Sequence, residues 1–155
     1  MKKIISASLM ALLCSCLAQG QQDMLGSLTK EEILQGCPDW QAEVASYNPK
    51  PEIVDQLRSL GVEVRIEIYL GTWCSDSKAH LSAFFKVLEL VENPLIQVSY
   101  VGVPEEKSSR APYYQGKNIE KLPTFLIYMD GREKGRIVET PTLSVEQDLL
   151  EIIRK

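Results

Sequence analysis

The sequence is poor in histidine and cysteine, the side chains that most often hold transition metals in proteins. Of its 155 residues, one is histidine and four are cysteine. It contains no Cys-x-x-Cys pair and no pair of histidines, so we predict no metal site. We expect no cofactor either, because no cofactor-binding motif stands out in the sequence.

The sequence also lacks an excess of positive charge and a long apolar run. Lys and Arg number 17 against 21 Asp and Glu, and the formal net charge is −4. Nucleic-acid binding depends on cationic side chains that neutralise phosphates, so this balance argues against a nucleic-acid partner. No apolar run reaches the roughly 18 residues that a membrane-spanning helix needs, so we expect no such helix.

What remains is the composition of a folded domain. Apolar residues make up 45% of the chain and charged residues 25%. These proportions favour a packed hydrophobic core and exclude a chain that is disordered throughout. The length suits one domain, alone or with a targeting segment.

Residues 1–20 follow the pattern of a secretory signal peptide. Two early lysines precede an uncharged stretch, and small residues follow it. Three interpretations stay open: cleavage before Gln21, lipidation of Cys16 at a lipoprotein box, and a short buried helix. Under the first two we expect an exported protein, either free in the periplasm or anchored to a membrane by lipid at Cys16.

Residues 21–61 predict a helical extension before the main domain. Thr29 and Glu32 have the spacing of a capping box, and proline is tolerated in the first turn of a helix. The expected elements are a loose polar leader over 21–27, a short helix over 28–36, a turn over 37–40 and a helix that opens over 48–51 and ends at Gly61.

Residues 62–155 predict an α/β domain. Its expected elements are a strand over 62–70, a helix over 74–92, a strand over 95–103, a short helix near 111–115, strands over 124–129 and 133–139, and a last helix capped by Ser144. Strand–helix–strand order implies a right-handed parallel crossover, and Asp130-Gly131 predicts a hairpin. We therefore predict a three-layer fold with a central mixed sheet of four or five strands flanked by helices.

Cys74 stands where a predicted strand ends and a predicted helix begins. The N-terminus of a helix offers unpaired N–H groups and partial positive charge, which favour a thiolate over a thiol. Ser77, one helical turn later, could donate a hydrogen bond to the sulfur. Asp76, two residues after Cys74, would add negative charge and oppose the helix, so the net effect stays open. A buried, inert cysteine is the alternative.

Four features resemble the thioredoxin family: the strand that ends at Gly71, the motif Trp73-Cys74-Ser75-Asp76-Ser77, the segment Leu122-Pro123-Thr124-Phe125, and the hairpin at Asp130-Gly131. The resemblance covers residues 62–154, and its monothiol motif looks like that of exported bacterial thioredoxin-like proteins.

The resemblance implies a thioredoxin-like fold and a role for each matched residue. Cys74 takes the place of the attacking cysteine, and Pro123 that of a cis-proline facing the sulfur. Trp73, Leu122 and Thr124 take substrate-binding places, where the backbone of Leu122 would pair with an extended substrate.

Departures from the family pattern limit the mechanism. The second cysteine of the family is replaced by Ser77, and a hydroxyl cannot resolve a mixed disulfide. A resolving thiol would have to come from Cys37, from a small thiol or from a partner protein. A disulfide between Cys37 and Cys74 stays open, because sequence spacing does not give the distance between them.

Two functions follow from the resemblance. The first is an exported thiol–disulfide exchange protein that uses Cys74 as its single motif cysteine (CxxS) and acts on protein or small-molecule thiols and disulfides. The alternative is a redox-inactive thioredoxin-fold binding module that recognises a partner protein. His80, the only histidine, is expected to have a packing or surface role.

Overall fold

The computed structural model of the protein describes residues 23–155. The predicted signal segment, with the cleavage site before Gln21 and the lipidation site at Cys16, lies outside the described residues. Within 23–155, no helix is both long enough and apolar enough to cross a membrane.

The described chain contains five strands and six α-helices. The strands are β1 (Gly26–Leu28), β2 (Val64–Leu70), β3 (Ile96–Gly102), β4 (Thr124–Met129) and β5 (Arg132–Val138). The helices are α1 (Lys30–Gly36), α2 (Trp40–Ser46), α3 (Pro51–Arg58), α4 (Ser75–Val91), α5 (Ala111–Tyr114) and α6 (Val145–Arg154). A short 3₁₀ turn, Lys107–Ser109, precedes α5.

The strands form one mixed sheet in the order β1-β3-β2-β4-β5. Strands β2 and β3 are parallel and are connected through α4, whereas the other neighbours are antiparallel. This arrangement confirms the predicted α/β architecture, a central mixed sheet, here of five strands, flanked by helices. The hairpin between β4 and β5 has Asp130 at φ 50° and Gly131 at φ 73°, as the Asp-Gly pair predicts.

Side chains alternate between the two faces of the sheet along each strand, and the buried ones form two clusters. Ile68 and Leu70 of β2 pack into the main core, against helices α1–α4 and α6. Tyr69, between them in sequence, packs into a second cluster on the opposite face. Because successive strand residues point to opposite faces, both faces of the sheet are covered. The members of the second cluster are Tyr69, Val103, Ile119, Leu122, Leu126 and Tyr128, with Trp73, Cys74, Val101, Tyr113 and Tyr114 packed against them.

The N-terminal part of the described chain differs from two expectations. Residues 26 and 27, expected in a loose leader, and Leu28, expected in a helix, form β1, which pairs with β3. Residue Trp40, expected to end a turn, begins α2 and is 1% exposed. Both segments are fixed by packing on the main domain, since α2 lies against α4 and Trp40 belongs to the main core.

A glycine on β3 allows β1 to join the sheet. A β-carbon placed on Gly102 would lie 2.1 Å from the carbonyl oxygen of Met24, far inside contact distance. The backbone N–H of Met24 in turn donates to the hydroxyl oxygen of Thr72 at 3.3 Å. The start of the described chain is thereby attached to the loop that precedes Cys74.

Candidate functional site

The thiol of Cys74 lies at the N-cap position of α4, directly after the loop that follows β2. Its backbone N–H donates to the carbonyl oxygen of Gly71 at 3.0 Å, and its carbonyl oxygen accepts from the N–H of Lys78 at 3.0 Å. The side chain makes no capping hydrogen bond and is half-buried. The backbone of Cys74 therefore begins the helix, and the residue keeps part of its surface exposed to solvent.

The sulfur faces the peptide that precedes β4. The Leu122–Pro123 peptide bond is cis, as the resemblance implies. The sulfur of Cys74 lies 3.9 Å from the carbonyl oxygen of Leu122. Strands β2 and β4 are neighbours that pair Tyr69 with Thr124, so the residues at these two strand ends are brought together.

Trp73 is held against the loop by three contacts. Its indole N–H donates to the carbonyl oxygen of Val103 at 3.0 Å. The guanidinium carbon of Arg110 lies 4.8 Å from the centre of a Trp73 ring. A β-carbon on Gly71 would lie 2.5 Å from the indole, so glycine at this position leaves room for the ring. The fixed indole forms part of the wall beside Cys74.

Arg110 is a site residue that the sequence analysis did not single out. Its side chain is 8% exposed. Its Nε donates to the carbonyl oxygen of Pro104 at 2.9 Å, and one Nη donates to that of Glu105 at 2.6 Å. It lies in a polar segment without periodicity, where one arginine gives no signal of burial.

The side chain of Ser77 is hydrogen-bonded to Gly71, at the other end of the loop that joins β2 to α4. It is fully buried, and its hydroxyl oxygen accepts from the backbone N–H of Gly71 at 3.2 Å. The hydrogen bonds found within residues 23–155 do not include the predicted donation from Ser77 to the sulfur of Cys74. The hydroxyl therefore ties the start of α4 to the end of β2.

Thr124 also has a different position from the one expected for a substrate-binding side chain. It is 1% exposed, and its hydroxyl donates to the carbonyl oxygen of Lys121 at 2.7 Å. This bond closes the turn that contains Leu122 and Pro123, which are themselves buried. Thr124 thus supports the cis-peptide instead of facing the surface.

Cys37, the candidate resolving cysteine, does not pack in the same hydrophobic cluster as Cys74. Cys37 is fully buried in the main core, whereas Cys74 packs against the second cluster on the opposite face of the sheet. No disulfide joins the two residues. Access of Cys37 to a mixed disulfide at Cys74 would require the core to open.

Charged side chains surround the candidate site. Glu139 has a left-handed backbone, with φ 61°, a conformation that glycine adopts more readily than other residues. Its carboxylate contacts the ammonium of Lys121 at 2.5 Å. The pKa of Lys121 is raised, chiefly by its hydrogen bond with Glu139 and further by the charges of Asp76 and Glu120.

His80 lies on α4 and is half-buried. Burial lowers its pKa from the ordinary 6.5, while the charge of Asp76 acts in the opposite direction. We therefore expect a largely neutral imidazole at neutral pH. Across residues 23–155, no group of three or more His, Cys, Asp or Glu side chains is arranged to hold a metal ion.

The fold has counterparts among solved structures. A Pseudomonas aeruginosa protein of unknown function is 18% identical, with a TM-score of 0.64 over 83% of this chain and 92% of that protein. A structure described as an HIV epitope scaffold is 17% identical, with a TM-score of 0.60 over 77% of this chain and 84% of the scaffold. These likenesses show the fold alone.

Comparisons beyond these two add no family. Oxidised mitochondrial thioredoxin 3 from Saccharomyces cerevisiae is 16% identical and aligns with a TM-score of 0.41 over 70% of this chain and 98% of the thioredoxin. No family model matches the sequence. No curated protein matches it either.

Proposed function

We propose that this protein exchanges thiols and disulfides through Cys74 as its single reactive cysteine. The observation that carries the proposal is the position of Cys74, half-buried at the N-cap of α4 with its sulfur 3.9 Å from the carbonyl oxygen of Leu122. The helix N-terminus offers N–H groups and partial positive charge to a thiolate at that position.

The exchange step is balanced within the two reactants. The thiolate of Cys74 attacks one sulfur of a substrate disulfide, the substrate S–S bond breaks, and the other sulfur departs as a thiolate. Cys74 is oxidised to a mixed disulfide, and the substrate is reduced by the same amount. A second thiol that attacks the mixed disulfide releases Cys74 unchanged.

The second thiol in this proposal comes from another molecule. Ser77 carries no sulfur, and Cys37 is buried in the main core. A small thiol or a protein thiol would therefore complete the cycle. Such a site suits disulfide isomerisation or removal of small-thiol adducts better than net reduction, because net reduction needs a paired thiol. The pattern of residues 1–20 supports the further proposal that this chemistry takes place outside the cytoplasm.

Intact-protein mass spectrometry tests the proposal directly. The protein is prepared with Cys14 and Cys16 replaced by serine, so that Cys37 and Cys74 are its only cysteines, and this background is used in every exchange experiment. The folded protein is incubated with the neutral disulfide bis(2-hydroxyethyl) disulfide, and the mass of the adduct is recorded before and after addition of a small thiol. We expect one adduct on the native protein and on C37A, no adduct on native C74A, and loss of the adduct when the thiol is added.

A redox-inactive binding module is the second candidate. This candidate is favoured because Ser77 stands where a dithiol motif would have its second cysteine. The hydroxyl oxygen of Ser77 is already engaged, since it accepts a hydrogen bond from the N–H of Gly71. Reaction of C37A with the disulfide only after the protein is unfolded would support this candidate and overturn the exchange proposal. The C74A variant serves as the matched control, because it shows how much of any reaction belongs to Cys37.

A further inference from the structure

Carboxylates flank the candidate site on two elements of the fold. Asp76 is exposed in the first turn of α4, two residues after Cys74. Glu139 follows β5, and its backbone N–H donates to the carbonyl oxygen of Pro123 at 2.7 Å. Asp76 therefore lies on the helix turn that follows Cys74, and Glu139 lies on the segment that is hydrogen-bonded to Pro123.

The nearest exposed cation does not cancel this negative charge. The ammonium of Lys121 contacts Glu139 at 2.5 Å and thereby neutralises one carboxylate. Asp76 and Glu120 both add to the rise in the pKa of Lys121, so a single ammonium lies in the field of three carboxylates. The exposed charges around the cis-peptide therefore sum to a negative value.

The other cationic side chains of this region, Lys78 and Arg110, are paired with other groups of the protein. The ammonium of Lys78 contacts the carboxylates of Asp39 at 2.8 Å and Glu43 at 3.0 Å. Arg110 is buried, and its guanidinium donates to backbone carbonyl groups beneath Trp73. Neither cation is presented to a substrate as an unpaired charge.

Resting on the exchange function, we propose that Asp76 and Glu139 are specificity-determining residues that make Cys74 react preferentially with disulfides bearing positive charge close to their sulfur atoms. An approaching cationic disulfide is attracted by the two carboxylates, and an anionic one is repelled. At a separation of about 7 Å in water, each pair of unit charges changes a rate by about threefold. The preferred substrate class is thus a disulfide of an amine-bearing thiol or of a lysine- or arginine-rich peptide.

Three small disulfides of similar size separate charge recognition from reactivity. Cystamine carries two ammonium groups, bis(2-hydroxyethyl) disulfide is neutral, and 3,3′-dithiodipropionate carries two carboxylates. Rates of adduct formation at Cys74 are measured at low ionic strength in the C37A background and divided by the rates of the same probes with a small thiol. The division removes the preference that any thiolate has for a cation.

Variants then assign the preference to individual carboxylates. The ratio of the cystamine rate to the dithiodipropionate rate is expected to fall at least threefold in D76N and at least threefold in E139Q. Any general effect of either change on the reactivity of the thiol is common to all probes and cancels in the ratio. E52Q is the control, because Glu52 is an exposed carboxylate on α3 outside these contacts, and its ratio should equal that of the parent.

The possible results separate a failure of the charge preference from a failure of the exchange function. Reaction with the neutral disulfide at a ratio that is unchanged in D76N and E139Q would overturn the charge preference and leave the exchange function standing. Absence of reaction with the neutral disulfide would overturn both. Raising the ionic strength to about 1 M shortens the Debye length from about 30 Å to about 3 Å, so a ratio that persists at high salt would also contradict the proposal. Cystine peptides flanked by lysine or by glutamate extend the test from small disulfides to protein segments.

Discussion

The sulfur of Cys74 lies 3.9 Å from the carbonyl oxygen of Leu122, although the two residues are 48 positions apart in the chain. Sheet pairing explains this contact, since β2 ends shortly before Cys74 and its neighbour β4 begins shortly after Leu122. Two hydrogen bonds fix the two loops that carry the contact: the N–H of Gly71 donates to the hydroxyl of Ser77, and the hydroxyl of Thr124 donates to the carbonyl oxygen of Lys121. The site is therefore built mainly from buried polar contacts to backbone groups.

Replacement of Ser77 by alanine should destabilise the fold. The N–H of Gly71 would lose its acceptor in a buried setting, which costs about 1–3 kcal/mol in the free energy of unfolding. Urea denaturation measures this loss, and S75A, at an exposed position of the same turn, should cost much less. A large fall in the disulfide-exchange rate of folded S77A, without loss of stability, would instead indicate that Ser77 acts on the sulfur.

Replacement of Arg110 by methionine should release the indole of Trp73. The variant loses two hydrogen bonds to backbone carbonyl oxygens and the cation over the ring, and we expect a loss of about 1–3 kcal/mol in stability. Fluorine NMR of protein labelled with 5-fluorotryptophan gives one signal for each of the two tryptophans. The Trp73 signal should shift, while that of Trp40, in the main core, should not.

A shift of both tryptophan signals in R110M would mean that the whole fold has changed, and no shift at Trp73 would mean that Arg110 does not hold the ring. R132M, at an exposed position on β5, is the matched control and should leave both signals in place.

The single histidine allows a direct titration by NMR. Because burial disfavours the imidazolium, the midpoint of His80 should lie below 6.5, with Asp76 opposing the shift in part. D76N should therefore lower the midpoint further. A midpoint at or above 6.5 in the parent protein would contradict the burial of His80.

The same shift has a consequence for stability. The folded state binds the proton of His80 less readily than the unfolded state does, so the contribution is present above pH 6.5 and is lost as the pH falls through the pKa of the folded state. Urea denaturation as a function of pH should show a smaller loss below pH 6.5 in H80Q than in the parent. An identical pH dependence in both proteins would rule out this contribution.

Replacement of Glu92 by glycine should stabilise the protein. Glu92 ends α4 with φ 46° and ψ 37°, a left-handed conformation that glycine adopts without steric cost. Relief of this cost, together with removal of a negative charge from a helix C-terminus, should add about 1 kcal/mol to the free energy of unfolding. Thermal or urea denaturation checks the gain. E92A removes the charge and keeps the β-carbon, so a gain in E92A equal to that in E92G would contradict the backbone explanation.

Local patterns predicted the elements whose signals are contained in adjacent residues. The helical spacing of apolar residues in α4, the Asp130-Gly131 turn and the Ser144 cap, whose hydroxyl oxygen accepts from the N–H of Gln147, all agree with the structure. The residues that determine each of these features are close together in the sequence, within one or two helical turns. Tertiary contacts therefore only have to be compatible with the feature.

The elements that were missed depend on distant partners. Strand β1 is three residues long and exists through its pairing with β3, which Gly102 makes possible. Helix α2 begins at Trp40 without a side-chain cap, and its position follows from burial of Trp40 and Val44. The burial of Arg110 was equally invisible, because its partners are carbonyl groups of a loop.

By itself, the sequence determined a mixed α/β sheet and the position of Cys74 between a strand and a helix, because hydrophobic period and turn chemistry are local properties. Tertiary structure decided what surrounds the sulfur. It placed Leu122 opposite Cys74, assigned the hydroxyls of Ser77 and Thr124 to backbone groups, and enclosed Cys37 in the main core. These outcomes depend on which strands become neighbours and which face each side chain takes, and burial then requires every polar group to find a partner within reach.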